Sequence, residues 1–126
     1  MRKIRGIATS NEVKRELKKH FPGEEFKIRS DYSSITIKTT ALKFTYEKAL
    51  RLNDLDFKMM KEGLMGAEAD EWKELERLKK QDEETRRNIK EILRNMGIEE
   101  EIHRCERSGE ILCGGNFFIF IEPLEK

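Results

Sequence analysis

The chain has 126 residues, 40% charged and 37% hydrophobic, with a formal net charge of +1. That length suits one domain with a single real core, and is too short for two. No apolar run approaches the length of a membrane span, and the start, MRKIRGIATS, lacks the apolar stretch of a secretory leader, so the expected setting is cytoplasmic, without membrane contact.

Thr9-Ser10-Asn11-Glu12 fits a capping box, in which the Thr9 hydroxyl and the Glu12 carboxylate serve free N–H groups at a helix start. Val13, Leu17 and either His20 or Phe21 then share one helix face, with Lys14, Arg15, Lys18 and Lys19 on the other. Phe21-Pro22-Gly23 ends this helix, because Pro22 cannot continue it and Gly23 permits a sharp reversal. Next, Phe26 and Ile28 alternate with Lys27 and Arg29, and Ile35 and Ile37 alternate with Thr36 and Lys38. Each run reads as a half-buried strand, and the turn chemistry of Ser30-Asp31-Tyr32-Ser33 joins them as an antiparallel hairpin.

The same stretch carries a family resemblance over residues 13–38 only. Leu17-Lys18-Lys19-His20-Phe21-Pro22-Gly23, then Phe26-Lys27-Ile28-Arg29-Ser30 and Ser33-Ser34-Ile35-Thr36-Ile37, resembles the large polyvalent protein-associated domain, type 29, found in proteins of plasmids and phages. In that family a Leu-Lys-x-x-Phe-Pro helix end leads into a Lys-Phe-Ser-Val-Arg-like strand and a Ser-Ile-x-Val strand. Here Glu25 precedes the Phe, Lys27 stands where Ser is usual, and Thr39-Thr40-Ala41-Leu42 replaces the Trp-Thr-Asp-Gly-Pro-like segment that often follows. The resemblance carries over no catalytic residue. It implies a mobile-element protein acting in a host cell's cytoplasm.

The middle of the chain reads as helical. Thr39 or Thr40 is placed to cap a helix running through Leu42, Tyr46, Ala49, Leu50, Leu52, Leu55, Met59 and Met60 toward Leu64, with Gly63 and Gly66 bracketing a break. A second helix spans about residues 67 to 96 and stops at Gly97, with apolar positions Trp72, Leu75, Leu78, Ile89, Ile92, Leu93 and Met96. At 1.5 Å per residue such a helix is about 44 Å long, so part of it should project or pair. One arrangement is an antiparallel hairpin with the preceding helix. The other is a dimer through positions 75, 78, 82, 85, 89, 92 and 96, which would place Asp82 in the seam, where a charge is costly unless paired. The hairpin is preferred, making the protein a monomer, with a homodimer open through another surface.

Phe117-Phe118-Ile119-Phe120-Ile121 has apolar groups on both faces, as a strand covered on both sides would. Gly114-Gly115-Asn116 before it reads as a turn rather than a phosphate loop, since it leads into a strand and not a helix N-terminus. Ile111-Leu112-Cys113 reads as a further short strand. The expected fold is α+β, ordered α-β-β-α-α-β, with a small antiparallel sheet and a long helical hairpin. It forms one domain over 1–126, built of a helix plus β-hairpin (1–40), a helical hairpin (41–97) and a strand region completing the sheet (98–126).

Little in the sequence points to chemistry. Cys105 and Cys113 lie in no Cys-x-x-Cys pair and are expected as free thiols. His103-Arg104-Cys105 lacks a companion ligand pair, and the carboxylate runs Glu99-Glu100-Glu101 and Asp82-Glu83-Glu84 read as solvated. The expectation is no enzyme, no metal and no cofactor.

Charge is arranged unevenly. Residues 1–43 carry eleven Lys or Arg against five Asp or Glu, and residues 44–126 carry fifteen against twenty. One face of the predicted sheet collects Lys27, Arg29, Thr36 and Lys38 with some of the rings of 117–121. Left open, it would be a platform for single-stranded nucleic acid, with Lys14 and Lys18 of the neighbouring helix in support. The more ordinary outcome is helices over that face, with the lysines reaching out at its rim. With the small size, the lack of chemistry and the segregated charge, the family resemblance implies a non-enzymatic mobile-element (phage or plasmid) accessory protein that binds and blocks a host or defence component through a protein surface. The alternative is a nucleic-acid-binding accessory protein using Lys14, Lys18, Lys27, Arg29 and Lys38.

Overall fold

Thr9 begins the first helix as the sequence predicts. In the computed structural model, which describes residues 3–110 and 115–125, the Thr9 hydroxyl accepts from the Glu12 amide and the Glu12 carboxylate accepts from the Thr9 amide. Ahead of it lies a small ribbon absent from the sequence expectation, strands β1 (Lys3–Ile4) and β2 (Ala8–Thr9) paired antiparallel. Arg5 and Gly6 both take positive φ in its turn, and the Ile7 amide bonds the Ile4 carbonyl. Helix α1 (Ser10–His20) buries Val13 and Leu17 completely. Of the two candidates for its next apolar position, Phe21 packs on the core while His20 stays exposed.

Strands β3 (Phe26–Ser30) and β4 (Ser34–Thr39) form the expected antiparallel hairpin, with Ile28 opposite Ile37 and Arg29 opposite Thr36. Strand β5 (Phe118–Pro123) joins β4 on its other side but runs parallel to it, so the sheet is mixed, in the order β3-β4-β5. A parallel neighbour requires a long crossover, and the two helices between β4 and β5 supply one.

Helix α2 (Tyr46–Glu62) starts later than predicted. Its cap is Thr45, not Thr39 or Thr40: Thr39 is a buried residue of β4, and the Thr40 hydroxyl accepts from the Glu25 amide at 2.8 Å. The segment between is tied to helix α3 (Ala67–Asn95) by Asp82, which is fully buried and accepts the amides of Lys43 at 2.9 Å and Phe44 at 2.7 Å. The cost of placing a carboxylate on this apolar stripe is thus met by two backbone donors. Leu75, Ile89 and Ile92 of the same stripe are buried within the chain, so the α3 seam weighed for a dimer is already occupied.

α3 ends as Gly97 predicts. Gly97 takes φ 96°, its amide bonds the Arg94 carbonyl, and the Ile98 amide reaches back to Leu93 at 2.8 Å. The main core lies between one face of the sheet, α1 and the C-terminal half of α3. It unites Val13, Leu17, Phe26, Ile35, Ile37, Ile89, Leu93, Ile98, Phe117, Ile119 and Ile121. A separate, smaller cluster of Leu52, Leu55 and Leu75, flanked by Phe44, Leu64 and Trp72, holds the α2–α3 hairpin together. The predicted strand at Ile111-Leu112-Cys113 lies outside the described residues, as does Gly114 of the predicted turn; Gly115 adopts φ 72°.

Candidate nucleic-acid interface

The alternation in the three strands assigns every side chain of the sheet to a face. Phe26, Ile28, Ile35, Ile37, Ile119 and Ile121 turn to the core. The opposite face carries two aligned rows, Lys27–Lys38–Glu122 and Arg29–Thr36–Phe120, with Ser34 beside Phe118 beyond them. Lys27, Arg29, Lys38 and Glu122 are exposed, and Phe120 is 47% exposed. Among the described residues no helix covers this face, contrary to expectation: the helices that pack on the sheet, α1 and α3, contribute their apolar residues to the core on its other side. The physical reason is the length of α3. Its C-terminal half suffices to cover one face, and its N-terminal half is engaged with α2 in the smaller cluster.

The rings of Phe118 and Phe120 stack on one another, centroids 6.0 Å apart and planes inclined by 20°. Across the sheet a groove of about 590 Å³ runs along β3, lined by Ser10, Asn11 and Lys14 of α1 together with Lys27, Arg29, Thr36 and Lys38. Four of the five cations singled out from the sequence therefore meet at one place. Lys18 is exposed on α1 but does not line the groove. Among the described residues, the side chains of Lys14, Lys27, Arg29 and Lys38 make no ion pair or hydrogen bond. The helical hairpin behaves differently, with Arg51 on Glu71 and Lys58 on Glu68, both at 2.7 Å. Glu122 also lines the groove.

At the other end of the sheet Asp31 is held below the usual carboxylate range, first by the Ser33 amide at 2.8 Å and then by the Ser34 hydroxyl at 3.0 Å. These bonds shape the β3–β4 turn and leave the carboxylate occupied. Cys105 is a free thiol, lowered by the Ser108 hydroxyl and by the amides of Ser108 and Arg107, while Cys113 lies outside the described residues. His103 stands 3.2 Å from the Glu101 carboxylate, and no group of three or more ligating side chains occurs among the described residues.

The outer edge of β5 and the residue before it are taken up by two side chains and a backbone bridge. The Arg86 guanidinium donates to the Ile121 carbonyl at 3.0 Å, the Ile119 amide donates to Glu100 at 3.1 Å, and Phe117 bridges Glu101. No helix among the described residues is long and apolar enough to cross a membrane. No protein-family model matches this chain, and no curated protein or solved structure matches it.

The sequence left open which of residues 117–121 would stand on the exposed face. Strand parity decides it, selecting Phe118 and Phe120 and returning Phe117, Ile119 and Ile121 to the core. The contribution of Ser10 and Asn11 carries no sequence signal, because it follows from where α1 lies against β3.

Proposed function

We propose that the exposed sheet face binds single-stranded nucleic acid. The observation that carries this reading is four cations whose side chains make no ion pair around one groove, on the sheet face that also carries a stacked aromatic pair, Phe120 exposed and Phe118 half-buried. Bases stack on aromatic side chains whatever their identity, while the backbone follows positive charge. The strands are about 4.8 Å apart, so the rings of β5 and the cations of β3 are roughly 10 Å apart. A strand laid across the sheet brings bases to Phe118 and Phe120 and phosphates to Lys27, Arg29, Lys38 and Lys14. With few phosphate contacts, affinity is modest and sequence preference slight. This reading ranks nucleic acid ahead of the blocked host protein expected from the family resemblance, because a groove of unpaired cations favours a polyanion.

Fluorescence anisotropy with labelled oligothymidylate and a matching duplex tests it. Single strands should be preferred, and log K should fall with log salt by about 0.7 per phosphate contact. Phe120→Ala should weaken binding by about 1–3 kcal/mol with little change in the salt slope. Lys27→Ala with Arg29→Ala should flatten the slope by about 1.4. A preference for duplex, or binding indifferent to both changes, would refute the reading.

A further inference from the structure

α2 has a second apolar stripe that the fold does not use. Leu52 and Leu55 face α3, while on the opposite side Tyr46 is 71% exposed, Leu50 47%, Phe57 61% and Met60 87%. With Asn53 these positions are spaced 4-3-4-3, the heptad spacing that lets one helix lie along another. Their flanks are charged at opposite ends, with Glu47 beside the first turn and Lys61 in the last. Lys61 already lies along the stripe, 4.5 Å over the Phe57 ring.

We propose that this face of α2 packs antiparallel against the same face of a second copy of the chain. Reversed on itself, the stripe is self-complementary. Leu50 meets the other copy's Met60, Asn53 meets Phe57, and Tyr46 reaches the region of Met65, itself 85% exposed. The same reversal sets Glu47 against Lys61 twice, once on each side of the two-fold axis. A parallel pair would instead align Glu47 with Glu47. The large exposed side chains involved bring the buried area to about 1,000 Å² over both copies, the floor for a specific interface. The pairing is thus weak and concentration-dependent, and Asp54, which faces its own copy near the axis, weakens it further.

Sedimentation and light scattering of the full chain from about 1 to about 100 µM should show mass rising toward that of a dimer. Phe57→Asp should hold the protein monomeric with its unfolding midpoint unchanged, since that ring is exposed and outside both clusters. Glu47→Lys alone and Lys61→Glu alone should each weaken the dimer about tenfold, and the double exchange should restore it, because only an antiparallel partner brings these residues together. A monomer throughout that range, a dimer that Phe57→Asp leaves intact, or a double exchange without rescue would overturn the proposal.

Discussion

Replacing Asp82 tests whether one buried carboxylate fixes the junction between the sheet and the helical hairpin. Asp82 is 0% exposed, and its two oxygens accept from the amides of Lys43 and Phe44. Hydrogen bonds to a charged group contribute about 1.5–3 kcal/mol each. Two of them give a gross value of about 3–6 kcal/mol, from which the relief of no longer desolvating a carboxylate must be subtracted. Asp82→Ala should therefore cost about 2–4 kcal/mol. Asp82→Asn keeps one acceptor but turns an NH₂ donor toward the other amide, and should cost about 1–3 kcal/mol. Urea unfolding monitored by Trp72 fluorescence and by circular dichroism gives both values, read as a lowered midpoint at constant slope. If Asp82→Ala lay within about 0.5 kcal/mol of the parent, as surface substitutions do, the claim that this side chain ties residues 43 and 44 to α3 would be wrong.

Two further outcomes follow from the core and the charges. Phe26, 2% exposed and 6.0 Å from the Phe21 ring, joins β3 to the main core, so Phe26→Ala should cost about 3–5 kcal/mol in the same melts; a loss near zero would mean the register of β3 is not as described. Glu12 is held below its usual range by the Thr9 amide and Glu101 by the Arg5 guanidinium, so the unfolded chain binds more protons and their stabilisation, full above the usual carboxylate range, is lost as pH falls through the folded values. Melts from about pH 6 to about pH 3 should show a shallower acid loss in a Glu12→Gln, Glu101→Gln variant, and an unchanged acid limb would refute that account.

The parts legible in the sequence were those with a local cause. The Thr9–Glu12 box, the stop at Phe21-Pro22-Gly23, the alternation of β3 and β4 and the Gly97 terminus each follow from a few adjacent residues, and each lies where expected. What was not legible depends on distant partners. Thr39 and Thr45 are equally good caps by residue type, and the choice between them is made by Asp82, nearly forty residues away. The direction of β5 is set by the crossover and has no mark in Phe117-Phe118-Ile119-Phe120-Ile121. The β1–β2 ribbon is two residues a side, too short for alternation to register. Tyr46, Leu50 and Met60 of the outer stripe of α2 were visible as positions on the predicted helix, but which of them would be covered was not, because periodicity identifies apolar residues without saying which neighbour covers them.

The candidate site likewise depends on how the strands are joined. With β5 parallel to β4, its even-numbered side chains turn to the same face as Lys27 and Arg29, which puts rings and cations on one surface. The same placement makes β5 an edge strand, and that edge is taken up by Arg86, Glu100 and Glu101. A ligand is thereby directed away from the edge of β5 and onto the open face, approached along the groove beside β3. Charge follows the same division. In the helical hairpin Arg51 is paired with Glu71 and Lys58 with Glu68. Around the groove Lys14, Lys27, Arg29 and Lys38 have no such ion pairs among the described residues, and Glu122 lines the groove with them. A net charge of +1 thus averages a basic first part, residues 1–43, against an acidic excess that lies mostly in residues 98–126, which hold seven Asp or Glu against three Lys or Arg.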